Sequence, residues 1–204
     1  MLGRIDTSFQ TLQRDLFASG LAARIGMNAF GVWLAIKSHA DYNTGEAWPG
    51  MRRLAELTGL SLGAVSNSVK ALVEARLLRL EREAKGKSRR GNTYVARERM
   101  DVRLGDRVMC TIVLDYVPST LRTRLSAIED AVTGKRPPSN SPDVFADCEI
   151  IPGDGFVWDA KTASLRASIP ASDLPAPDLS EEALKAPLVQ RVLAIQRGRS
   201  SSGG

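Results

Sequence analysis

The stretch EAWPGMRRLAELTGLSLGAVSNSVKALVEARLLRL, from Glu46 to Leu80, decides the fold. Its apolar residues are spaced for two helices. Leu54 and Leu57 fall on one face of a short first helix, and Val65, Val69, Leu72 and Val73 on one face of a second. That is the i, i+4, i+7 spacing of an amphipathic helix. Thr58-Gly59-Leu60-Ser61 separates the two. Gly59 tolerates the left-handed conformation that ends a helix, and Ser61 can cap the next one through its side-chain oxygen. Helix, tight turn and helix together make a helix-turn-helix.

The chain beyond Glu74 sharpens this. Leu77–Arg82 begins an alternating run, a basic stretch from Ala84 to Asn92 interrupts it, and Thr93-Tyr94-Val95 resumes an extended pattern. Two short strands joined by a Gly-containing loop make a β-hairpin. In this order, Met27 to about Arg99 resembles the winged-helix domains of bacterial regulators and of plasmid and phage replication initiators. The phrase FGVWLAIKSHADYNTGEAWPGMRRLAELTGLS (Phe30–Ser61), followed by a β-rich second half, is similar to the replication proteins of plasmids and phages. The resemblance implies a protein that binds repeated sites at an origin, recruits host replication proteins and represses its own gene. The initiator is slightly favoured; the alternative is a dimeric winged-helix transcriptional repressor on an inverted repeat at a promoter, and a partition or packaging adaptor has the same surface requirements.

Charge supports an anionic partner. The formal net charge is +5 over 204 residues, and the cations between Arg52 and Arg99 outnumber the acids Glu56, Glu74, Glu81, Glu83 and Glu98. A positive field focused on one module is the footprint of a nucleic-acid binder. In the second helix the apolar face leaves Leu62, Gly63, Ser66, Asn67 and Lys70 outward. A recognition helix turns such N-terminal residues to base edges in the major groove. Gly63 permits close approach, Asn67 suits adenine, Ser66 suits base or phosphate, and Lys70 suits guanine or phosphate. Ser61 joins this set at the helix start. Arg52 and Arg53 open the preceding helix, where guanidinium groups and backbone amides together hold a phosphate. Lys85, Lys87, Arg89 and Arg90 crowd the hairpin tip, and arginines there suit a narrow minor groove.

Taken in order, residues 1–24 read as a helical arm with Phe9, Leu12, Leu16, Phe17 and Leu21 on one stripe. The winged helix-turn-helix occupies 25–100. Within it, Asn28–His39 forms the first core helix with Trp33 at one edge, Asp41–Glu46 is a turn, and Trp48 is expected to plug the core. Residues 101–170 form an α+β module: a β-branched strand at Arg107–Val117, a helix to about Val132, a Pro-rich linker at Gly134–Pro142, and strands from Cys148, Gly155 and Ser164. Residues 171–204 are expected to be a flexible, Pro-rich tail. The fold class is thus α+β, an assembly or partner-binding module following a reader of DNA.

No catalytic chemistry is legible. His39 is the only histidine, GxxxxGK[ST] is absent, and Gly153-Asp154-Gly155 is a turn with no helix behind it. Tyr116 lacks the histidine cluster that accompanies a strand-nicking tyrosine. Cys110 and Cys148 are too few for a structural zinc site, and free buried thiols suit a reducing compartment. The sequence therefore predicts a cytoplasmic, non-enzymatic protein without metal, cofactor or membrane span. Its expected partner is double-stranded DNA, which it would bind as a homodimer because one recognition helix spans few base pairs.

Overall fold

The computed structural model describes residues 10–82, 91–105, 107–135 and 144–168. The expected hairpin tip with Lys85, Lys87, Arg89 and Arg90 lies outside them, as do Phe9 of the expected arm, residues 136–142 of the Gly134–Pro142 linker, and the 171–204 tail. The chain mixes helix and strand and divides into two compact units between Ala96 and Arg97.

The first unit is built on three helices: α3 (Met27–Lys37), α4 (Met51–Thr58) and α5 (Leu62–Glu74), each packed on the other two. Short helices α1 (Asp15–Ala18) and α2 (Leu21–Ile25) precede them. The expected single N-terminal helix is therefore two, because Gly20 sits at φ +70° between them and breaks the stripe. Strand β1 (Glu46–Ala47) and strand β2 (Leu78–Arg82) both pair antiparallel with the first residues of β3 (Thr93–Leu104).

Trp33, Ile36, Leu54, Val65, Leu72 and Tyr94 are wholly buried in this unit. Trp33 is thus central and not at an edge. Its Nε1 donates to the Leu77 carbonyl at 3.1 Å, and its ring stacks against Phe30. Lys37 Nζ stands 4.3 Å above the same ring and donates to the Thr11 carbonyl, which ties the segment before α1 to α3. Leu57, in contrast, is exposed. It shares a face with Leu54 by spacing, but α4 ends at the next residue and leaves it 42% exposed.

Helix α5 closes in a Schellman arrangement, Leu77 N–H donating to Leu72 O at 2.9 Å and Arg76 N–H to Val73 O at 3.1 Å. Arg76 takes the left-handed position at φ +63°, where glycine is usual. The turn delivers Leu77 to the Trp33 indole and starts β2.

In the second unit, Arg97–Leu104 of β3 pairs with β4 (Arg107–Asp115), and β4 pairs with β5 (Cys148–Pro152), all antiparallel. The sequence reading ended the first module at the residues that actually continue β3 into this sheet. Their charges hid the strand, and the groups they pair with come from β4 and β5. Arg97 Nη1 reaches Glu149 at 2.8 Å, Arg97 Nε lies 3.3 Å from Asp115, and Thr111 Oγ1 donates to Asp101 at 2.8 Å. Helix α6 (Leu121–Thr133) buries Leu121, Ile128 and Ala131, and β6 (Phe156–Asp159) pairs with β7 (Ser164–Ala167) as a separate ribbon. A β-bulge at Val102/Arg103 lets Gly153 close on β4. Its N–H donates to Met109 O at 2.8 Å, and a Cβ there would stand 2.1 Å from Val108 O.

Cys110 is buried on β4 and Cys148 half-buried at the start of β5, both as free thiols. Burial, with the Asp101 carboxylate adding to it, pushes the Cys110 thiol up to about 12 from 9.0. At pH 8 the native protein should therefore leave Cys110 unalkylated by iodoacetamide while the urea-unfolded chain reacts, as peptide mapping would show. The linkage has a definite sign. Above pH 9 the unfolded thiol ionises and the folded one does not, so this group lowers stability as pH rises towards 12.

Candidate nucleic-acid interface

The turn between α4 and α5 is made by local chemistry. Gly59 ends α4 in the left-handed conformation at φ +70°, and Ser61 is the N-cap of α5, its Oγ accepting from Ala64 N at 3.2 Å. Ser61→Ala should cost about 1 kcal/mol, the usual value of such a cap, read as a lowered urea midpoint.

Helix α5 then sorts its residues by face. Val65, Ser68, Val69 and Leu72 are buried, whereas Leu62, Gly63, Asn67 and Lys70 are exposed and Ser66 is half-buried. Gly63, Asn67 and Lys70 follow at i, i+4 and i+7 and form one outward row. Ser61 is exposed too, with its oxygen already engaged in the cap.

Helix α4 begins with exposed Arg52 and Arg53. Its first turn holds no acidic residue, and Gly50 gives no side-chain cap. Cations at a helix N-terminus oppose the macrodipole, so two arginines there work against the helix and suit an external anion. The ion pair of Arg53 with Glu56 at 3.2 Å is exposed on both sides and contributes little to stability. Behind the arginines the helix start is firmly held. Tyr94 donates from its buried hydroxyl to Met51 Sδ at 3.6 Å and accepts from Asn92 Nδ2 at 2.9 Å. Burial raises the Tyr94 phenol, and the Asn92 hydrogen bond only partly opposes that.

Trp48 corrects the sequence reading. It is 56% exposed and does not plug the core. Ala47 and Pro49 are buried, and Trp48 and Gly50 are exposed. Burial alternates from the end of β1 to Gly50, and the tryptophan falls on the outward side just ahead of Arg52. Upstream, the Asp41 carboxylate accepts from Thr44 N at 2.8 Å and Asn43 N at 2.9 Å, which lowers its pKa and fixes the turn into β1.

The expected contact residues at the hairpin tip, Lys85, Lys87, Arg89 and Arg90, fall outside the described residues. Among those that are described, no group of histidine, cysteine, aspartate and glutamate side chains is arranged to hold a metal ion, and no helix is long and apolar enough to cross a membrane. No curated protein and no solved structure matches the chain. Residues 23–78, which span α3, α4, the Gly59 turn and α5, match the family model of a helix-turn-helix domain, and the match suggests DNA as the partner of this part of the chain.

Proposed function

We propose that the chain is a sequence-specific double-stranded DNA-binding protein of winged-helix type, acting as a plasmid- or phage-type replication initiator. The outward row Gly63, Asn67 and Lys70 on α5, with Arg52 and Arg53 open at the start of α4, carries this reading. Helix α5 enters the major groove, the α4 arginines hold phosphate, and the β2–β3 hairpin is the wing that meets the flanking DNA. A homodimer extends the site beyond one recognition helix. The second unit serves assembly and contact with host replication proteins, and the protein works in the cytoplasm without catalysis.

A DNase footprint across the DNA flanking the gene tests this. Regularly spaced protections beside an A·T-rich segment are the expected result. One symmetric protection over a promoter would make the protein a repressor instead, and no protection at moderate salt would overturn sequence-specific binding. Within a footprinted site, Asn67→Ala should relax discrimination at one base pair by about 1–3 kcal/mol while leaving non-specific affinity unchanged.

A further inference from the structure

We propose that Leu62 reads the 5-methyl group of thymine in the major groove, so that the front of α5 selects A·T pairs. The inference rests on α5 being the recognition helix and adds the class of base it reads. Leu62 is the first residue of α5 and is 50% exposed. Neither the cap nor the staple of α5 uses it. The capping role belongs to Ser61, whose Oγ holds Ala64 N. The positions of a hydrophobic staple, just before the cap and four residues into the helix, are filled by half-buried Leu60 and wholly buried Val65. A large apolar side chain remains half-exposed at the forward end of the helix, outside both the cap and the staple.

The neighbouring residues fit the same ligand. A Cβ at Gly63 would meet nothing nearer than Ser61 Oγ at 4.0 Å, so the fold does not require glycine there. Glycine within a helix is nevertheless disfavoured against alanine, and its small size leaves room beside Leu62 for a base-pair edge. Asn67, one turn further on and exposed, has the amide that pairs bidentately with adenine. The commonest guanine contact comes from arginine or lysine, and the first two turns, Leu62–Val69, contain neither. Thymine's methyl is the one apolar group on the major-groove edges. Leu62 thus offers apolar surface for such a methyl, and Asn67, on the separate Gly63–Lys70 row, offers an amide for an adenine.

The test uses the full chain and a duplex selected by it from random sequence. Each thymine in that site is replaced in turn by deoxyuracil, which keeps the base pairing and removes only the methyl. Wild type should lose about fourfold in affinity at one or two positions, the worth of one buried methyl-sized group. Leu62→Ala, an exposed change to a good helix former, should bind the thymine and uracil duplexes equally. Tight wild-type binding that is indifferent to uracil overturns the inference and leaves the DNA-binding reading intact. Discrimination that persists in Leu62→Ala overturns it as well, as does a change of sedimentation state in that variant with discrimination retained, which would assign the side chain to a protein contact. Failure to select any duplex overturns both readings.

Discussion

Trp33→Ala should cost about 4 kcal/mol, the middle of the range for a buried aromatic. The indole is wholly buried, stacks on Phe30 and carries the Lys37 ammonium 4.3 Å above its face. Its Nε1 also satisfies the Leu77 carbonyl at 3.1 Å. That hydrogen bond joins α3 to the residue that leaves α5, so one side chain fixes both ends of the helix-turn-helix. Trp33→Phe separates the contributions. It keeps most of the apolar contact but leaves a buried carbonyl unpaired and a smaller void, and about 2 kcal/mol should be lost. Urea unfolding followed by far-ultraviolet circular dichroism measures both. Equal losses for the two variants would mean that the hydrogen bond, and not the packing, dominates. A domain has only about 5–15 kcal/mol in hand, so the alanine variant should also bind DNA weakly near 37 °C and recover on cooling.

The contrast between what was legible in the sequence and what was not follows the range of the interactions. Gly59, Ser61 and the spacing of Val65, Val69 and Leu72 act within a turn or two, and they are enough to place α4, the turn and α5. The burial of Trp33 depends on Leu77, the continuation of β3 on Asp115 and Glu149, and both are far along the chain. Helical spacing alone put Leu57 inside because it says nothing about where the neighbouring elements stop. Trp48 was misassigned for a different reason. Proximity to a helix start suggested packing, whereas burial alternates from the end of β1 to Gly50 and leaves the ring on the outward side. Helical spacing places Leu62 outward, but only the completed cap and staple show that neither role falls to it.

Arg52→Ala combined with Arg53→Ala should weaken binding to every duplex, specific or not, and flatten its salt dependence. Two lost phosphate contacts lower the slope of log K against log salt by about 1.8. Between 50 and 200 mM salt, wild type should therefore lose about 12-fold more affinity than the double variant does. Stability should move the other way. The first turn of α4 carries these cations with no acid to offset them, and each opposes the helix dipole. Their removal should leave the melting temperature unchanged or slightly raised, the loss of the exposed Arg53–Glu56 pair being a small term. Residues kept for folding would show the opposite pattern, lower stability with an unaltered salt slope. A variant that folds as well or better and holds DNA less tightly would locate the purpose of both arginines outside the protein, on the phosphate that α4 meets.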